Sequence, residues 1–357
     1  MRLLCAISHH GLGHLAQAAP ILNALHARRP EIEWVIWSGL AREALARRVH
    51  APFVHRREAA DEGLVMRDAI RVNVPASLDA LRAFHAGWSD RVGREAAWLA
   101  QERIDAVLSD VAYLPLAAAR RAGVAAVAFS SLNWFDIAAA YLGPEPGVDA
   151  LLDEVREAYQ TAPFLRLTPA MPMSWLRESE CLPPVAMTGC DRRTELLARL
   201  SLDANVCLAV IGFGGIGYAG RGELPAIAGV VWLAPPDWRG RGERPDLFGF
   251  DQTGLEFIDL LASCDVLITK TGYGSYVEAA ANGVAVLHVE RPDWPETPFL
   301  SAWLETAARA LSVREEELFS PTLAARLEAL RALPARTPVR ADGAEAAASR
   351  ILELFQP

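Results

Sequence analysis

His14 and Asp110 are the residues of this chain whose types and placement best suit proton transfer. Each follows a short apolar run. Leu3–Ser8 precedes the turn His9–Gly13 that leads into His14, and Ala106–Ser109 precedes Asp110. An imidazole at a helix start can take a proton from a hydroxyl, and a carboxylate on its other nitrogen fixes the tautomer and stabilises the imidazolium. The plainer alternative is that each residue caps its own helix. A different chemistry is written in Asp265–Glu296, DVLITKTGYGSYVEAAANGVAVLHVERPDWPE. Here Lys270–Gly274 reads as a tight turn with two glycines, and Ser275–Asn282 as an alanine-rich helix with Glu278 in its first turn and Asn282-Gly283 as its stop. Backbone N–H groups at a helix start, the helix dipole and the charge of Lys270 together suit an anion, above all a diphosphate. An ordinary strand–helix–strand unit with turn glycines has the same pattern.

The elements that must position these residues alternate between short apolar strands and helices. Strands are expected at Leu3–Ser8, Glu33–Ser38, Ala106–Ser109, Val124–Phe129, Phe164–Thr168, Val206–Ile211, Val230–Leu233, Asp265–Thr269 and Val284–Val289. Such alternation predicts parallel, doubly wound sheets, whose ligands bind outside the carboxyl ends of the strands. His14, Asp110 and the loop Ser130–Trp134 all fall at such ends. Ser77–Gln101 reads as a long amphipathic helix or a pair. Residues 55–76 lack periodicity, carry many charges and read as a solvated excursion. Pro169–Pro184 reads as a non-periodic crossing between domains. The expected division is therefore 1–188, 189–340 and 341–357, the last a terminal helix packing back on the first domain. GFGGIG at Gly212–Gly217 fits G-x-G-x-x-G, but Gly220, Gly222 and Pro225 follow it, so it reads as a flexible loop rather than a nicotinamide site.

Length and composition frame this reading. A chain of 357 residues, 52% hydrophobic, suits two α/β domains. A net charge of −9 without runs of like charge argues against nucleic acid as a partner. The five cysteines form no C-x-x-C pair and are odd in number, which fits free thiols and a cytoplasmic compartment. No apolar run approaches the ~20 residues a membrane span needs, and MRLLCAIS is too short for a signal peptide. Contact with a membrane surface stays compatible with the composition, and the oligomeric state is left open. No D-x-D sequence occurs, so no metal is expected at a donor site.

Together these pieces resemble nucleotide-sugar glycosyltransferases of the GT-B fold, in which two Rossmann-like domains face each other across a cleft. GLGHL at Gly11–Leu15 is similar to the N-terminal glycine–histidine turn of family-one glycosyltransferases, where the histidine is the acceptor's base. DAVLSD at Asp105–Asp110 is similar to the strand whose last aspartate orients that histidine. TGYGSYVEAAANGVAVLHV resembles the donor signature, in which the glycine turn holds the diphosphate and a glutamate, here Glu278, holds the ribose. A closer resemblance is to the glycosyltransferase-like N-terminal region of L-arabinokinase, through His10–His14, Ser109–Val111, Lys270–Gly274 and Glu296–Leu300. No glycine–serine-rich kinase phosphate loop occurs, so kinase activity is not implied.

The resemblance implies a catalytic pair, His14 and Asp110, and a donor site formed by Gly11, Gly13, Gly214, Gly215, Lys270, Thr271, Gly272, Tyr273, Gly274, Ser275, Glu278 and Glu296. Lys270 stands where family-one enzymes usually carry a histidine, Glu296-Thr297 near their acidic–Gln pair, and Gly214-Gly215 near their phosphate-binding serine. The implied activity is inverting, metal-independent transfer of a hexosyl or N-acetylhexosaminyl group from a nucleoside-diphosphate sugar, a UDP-sugar foremost, to the hydroxyl of a small molecule, glycan or lipid. Residues 55–76 and 132–146 would choose the acceptor. A nucleotide-sugar 2-epimerase and a non-catalytic nucleotide-sugar-binding protein share the architecture and are the alternatives; a nicotinamide oxidoreductase is more distant.

Overall fold

The structure, a computed structural model, describes residues 1–355 apart from 216, 217, 219–221, 237, 239, 241 and 242. The chain folds as two compact units. The first holds Met1–Arg67, Arg71–Ala186 and Asp342–Pro357, and the second holds Asp68–Ile70 and Met187–Ala341.

In the first unit the elements run β1 (Arg2–Ile7), α1 (Gly13–Arg28), β2 (Glu33–Trp37), α2 (Arg42–Ala46), β3 (Phe53–Arg56), α3 (Val74–His85), α4 (Trp88–Gln101), β4 (Ala106–Asp110), α5 (Leu114–Ala122), β5 (Ala125–Ser130), α6 (Trp134–Leu142), α7 (Asp149–Tyr159), β6 (Phe164–Leu167) and β7 (Ser179–Leu182). The strands form one sheet in the order β3-β2-β1-β4-β5-β6-β7, and every pairing is parallel. Leu3–Ile7 and Ala106–Leu108 are buried throughout, as strands covered by helices on both faces must be. That is why they read as unbroken apolar runs rather than alternating ones.

In the second unit come α8 (Arg193–Leu200), β8 (Cys207–Gly212), β9 (Val230–Ala234), β10 (Leu247–Gly249), α9 (Phe250–Thr253), α10 (Phe257–Ala262), β11 (Val266–Lys270), α11 (Tyr273–Ala281), β12 (Ala285–Val289), α12 (Thr297–Ala307), β13 (Ala310–Val313) and α13 (Thr322–Ala332). Their sheet has the order β10-β9-β8-β11-β12-β13, again parallel. The chain then returns to the first unit as α14 (Gly343–Leu354). There Ala347, Ala348 and Ile351 are buried, and Arg28 of α1 reaches Ser349 Oγ at 2.6 Å.

Three expectations change. Residues 55–76 are not a solvated excursion: Ala60, Asp61 and Leu64 are buried in the first unit. Ala69 and Ile70 join the apolar cluster of the second unit, which also holds Trp232 and Leu287. Pro169–Pro184 is no open crossing, because it contains β7, which pairs with β6 inside the first unit. Finally, α11 starts at Tyr273, so the turn is Thr271-Gly272 and Glu278 sits in the second helical turn rather than the first. Of the Gly212–Gly217 run, Ile216 and Gly217 lie outside the described residues.

Candidate functional site

The first sheet reverses its direction of winding between β1 and β4, and Ile7 is the register partner of Asp110. A sheet of this kind opens a crevice at the carboxyl ends of such a strand pair. His14 is the second residue of α1, the helix that follows β1. Its Nδ1 lies 3.4 Å from Asp110 Oδ1 and 3.3 Å from Oδ2. Residues 96 positions apart are thus brought together, in contacts slightly longer than an ideal hydrogen bond. Catalytic hydrogen bonds are often loose before substrate binds. Asp110 has no solvent exposure. Burial pushes its carboxyl up to about 6, with the His14 imidazole pulling the other way.

The backbone just after Asp110 is strained. Val111 has φ +57°, a left-handed value that a β-branched side chain resists. It is held there by Phe129 O, which accepts from its N–H at 3.3 Å, and by the Tyr159 hydroxyl, which donates to its carbonyl at 2.5 Å. The loop Ser130–Trp134 is tied to α1 by Gln17, whose Oε1 accepts from the Ser131 amide at 3.0 Å. Asn133 then caps α6, accepting from the Asp136 amide at 2.8 Å.

Trp134 is the centre of a buried polar group that sequence reasoning missed. Its indole N–H donates to Asp61 Oδ2 at 2.6 Å. Its ring lies 4.8 Å from that of His10 and 5.9 Å from that of His14. His10 Nε2 accepts from the Gly63 amide at 3.2 Å, and its Nδ1 lies 3.1 Å from Ser8 Oγ. Burial lowers the His10 imidazole to about 4, so it is neutral. His9 Nδ1 lies 3.7 Å from Asp61 Oδ1, and that carboxylate raises the His9 pKa. Asp61 offered no signal in the sequence, because nothing local marks a lone carboxylate in an irregular stretch as buried. Gly11 has φ +86°, which suits glycine, and its amide donates to His9 O at 2.8 Å. Gly13 opens α1 with space around it.

The second sheet reverses between β8 and β11. Thr269 of β11 pairs with Gly212 of β8, and its hydroxyl donates to Gly212 O at 2.6 Å. Gly214 (φ +78°) and Gly215 follow β8, while Lys270 ends β11. Thr271 and Gly272 turn the chain, and Tyr273, Gly274 and Ser275 open α11 with partly exposed surface at Gly272 and Ser275. Gly272 is extended, with φ 179°, so its backbone does not require glycine. Glu278 is buried within α11.

Lys270 Nζ donates to Thr271 O at 3.3 Å. Burial and the Arg291 guanidinium lower Lys270 to about 8, against the opposing pull of Glu296. Arg291 follows β12, the strand beside β11, is 5% exposed, and lies 4.0 Å over the Trp294 ring. Glu296 is buried and accepts from the Trp294 indole at 3.3 Å. Arg291 was missed in the sequence. Its one signal is a cation placed two residues beyond an apolar strand. Two cations, one carboxylate and a helix start give this corner an excess of positive charge, which suits an anion.

No family model matches the chain. It is 26% identical to L-arabinokinase of Arabidopsis thaliana over 304 residues, 84% of this chain but 29% of that protein. The chain thus spans under a third of the length of that relative. Among solved structures it is similar to the calicheamicin glycosyltransferase CalG4, with a TM-score of 0.60, 15% identity and coverage of 99% of this chain and 95% of the other. It is also similar to Arabidopsis thaliana UGT89C1 in complex with UDP, with a TM-score of 0.56, 12% identity and coverage of 99% and 93%. With a seven-stranded and a six-stranded parallel sheet, each carrying candidate site residues at its point of reversal, the chain has the GT-B fold.

Proposed function

We propose that this protein is an inverting glycosyltransferase. It moves a hexosyl or N-acetylhexosaminyl group from a nucleoside-diphosphate sugar, UDP-sugar foremost, to an acceptor hydroxyl. The observation that carries the reading is the pairing of His14 with the fully buried Asp110 at the switch point of the first sheet. In this scheme His14 Nε2 takes the proton of the acceptor hydroxyl while its Nδ1 faces Asp110. The acceptor oxygen attacks the anomeric carbon from the side opposite the diphosphate. The bond from that carbon to the phosphate oxygen breaks, and the nucleoside diphosphate leaves with the electron pair. Lys270, Arg291 and the amides of Gly272–Ser275 then stabilise the charge on the leaving oxygen, as oriented donors do in a shielded site. Glu278 would hold the ribose. Cationic side chains do for the diphosphate what a metal does in other transferases, so no metal is needed there. Small-molecule, glycan and lipid hydroxyls fit the acceptor role, and a cytoplasmic setting fits the five free cysteines.

Support comes from the similar structures, one of them named a glycosyltransferase and another in complex with UDP. The test begins with a thermal-shift panel of nucleoside diphosphates and their sugars, because a ligand that binds only the native state raises the melting temperature. Sugars that bind are then incubated with an acceptor panel, and product is read by mass spectrometry. Transfer lost in His14→Ala, with donor binding retained, is the expected result. Conversion of the donor alone, without acceptor, would instead point to the 2-epimerase reading. Tight donor binding without turnover would point to a binding protein.

A further inference from the structure

His9, His10 and Asp61 lie in the first unit and play no part in the proton transfer described above. Each of the three offers one nitrogen or oxygen as a possible metal ligand, and these three atoms lie within 4.8 Å of one another. The surroundings orient these side chains as outer partners orient metal ligands. The Trp134 indole occupies Asp61 Oδ2 at 2.6 Å and leaves Oδ1. Ser8 Oγ lies 3.1 Å from His10 Nδ1; with the proton on that nitrogen, the lone pair is on Nε2. Asp61 Oδ1 and His9 Nδ1 are both buried and lack a hydrogen-bond partner. They face each other at 3.7 Å, too far for a good hydrogen bond. A cation with bonds of about 2.0–2.1 Å to each would hold two ligand atoms about 3.3–4 Å apart.

We propose that His9 Nδ1, His10 Nε2 and Asp61 Oδ1 bind one divalent transition-metal cation of the zinc class. Two imidazoles and a carboxylate are the donor set of such ions rather than of magnesium or calcium, which prefer oxygen alone. The 3.2 Å bond from the Gly63 amide to His10 Nε2 is the contact the metal replaces. The Glu62 carboxylate, 4.0 Å from the same nitrogen, adds negative charge beside the site. The His9 side chain is 34% exposed, so the site lies close to the surface although its ligand atoms are covered. The site does not depend on glycosyl transfer and stands or falls separately from it.

The test is calorimetric titration of the intact protein with Zn²⁺ at neutral pH, with Mg²⁺ as the control. Cys181 and Cys190 are exposed thiols that also take zinc, so both are first replaced by serine. The expected result is one equivalent of Zn²⁺ bound at micromolar affinity or tighter, and none of Mg²⁺. Asp61→Asn and His9→Gln should each weaken Zn²⁺ binding tenfold or more while circular dichroism shows them folded. If either fails to fold, the parent protein still decides the matter. Its His9 and His10 imidazole NMR signals must shift on addition of one equivalent of Zn²⁺. Unmoved signals, sub-stoichiometric binding, or wild-type affinity in both folded variants would overturn the proposal and leave His9 and Asp61 as a plain ion pair.

Discussion

Asp110 places an ionisable carboxyl where solvent does not reach, and this has consequences for stability and, on the proposed mechanism, for rate. Its pKa rises from an ordinary 3.8 to about 6, because burial penalises the charge. A group with a raised folded pKa contributes stability below its unfolded value and loses that contribution as pH climbs through its folded value. At pH 8 the wild type therefore bears the full cost of the buried charge, up to ~3 kcal/mol at about 1.4 kcal/mol per unit. Asp110→Asn should melt at or above wild type at pH 8, lose that advantage near pH 4, and still transfer sugar at least tenfold more slowly. Calorimetry at the two pH values beside one rate assay checks this, and a variant melting well below wild type at pH 8 would refute it. Lys270 behaves in the opposite sense. Burial and Arg291 lower it to about 8, so UDP affinity should fall as pH rises through 8. Lys270→Ala should lose about tenfold or more at pH 7, the worth of a charge-assisted hydrogen bond. Arg291→Ala should also bind UDP more weakly, yet keep its affinity to higher pH, because Lys270 is freed from a like charge. Isothermal titration between pH 7 and 9 reads both effects. A profile unchanged by Arg291→Ala would show that the two cations do not share one anion.

Among the elements, the loop at Gly63 and the start of α6 are fitted tightly to each other. A β-carbon on Gly63 would come within 2.6 Å of the Trp134 ring, which is large, buried and flanked by His10. Gly63→Ala must displace that ring and with it the indole bond to Asp61. Overpacking of this kind costs about 1–3 kcal/mol, and denaturant unfolding should show a loss in that range. The same variant should change the fluorescence of Trp134, and an unaltered midpoint would mean that the loop yields freely. At the other site, α11 ends where Asn282 closes the helix and Gly283 follows with φ +72°. That stop signal was visible in the sequence, since a residue with positive φ after a helix is usually glycine.

For the whole molecule the notable feature is that the first unit is assembled from three stretches of chain. Its last stretch, α14, covers α1, the helix that carries His14. Gly343 sits so close to the carbonyls of Pro183 and Pro184 that a β-carbon would come within 2.1 Å of backbone. A chain ending at residue 341 would uncover Ile351's pocket and the alanine face beside it. At about 1.5–3 kcal/mol for one large aliphatic side chain plus less for each alanine, the first unit should lose roughly 3–5 kcal/mol. Hydrogen exchange should then show faster exchange in α1 and β1, with β11 and β12 unaffected. Uniform protection in both units would mean that α14 contributes nothing to the first.

By itself the sequence determined the features that local chemistry encodes. Apolar runs between helical segments identify buried parallel strands, since both faces of such a sheet are covered, and alternation of strand and helix settles the parallel order. His14 and Asp110 could be paired in advance only because a parallel sheet puts every strand's carboxyl end on one edge. What the tertiary structure decided has no local signature. Asp61 under Trp134, Arg291 beside Lys270, the strained Val111 and the passage of Asp68–Ile70 into the second unit's core all depend on the path of irregular chain. Residues 55–76 read as solvated because charges without periodicity usually are, yet Ala60, Asp61, Leu64, Asp68, Ala69 and Ile70 among them are buried by tertiary packing. Periodicity reports which face of a regular element is buried, and an irregular loop has no period to read.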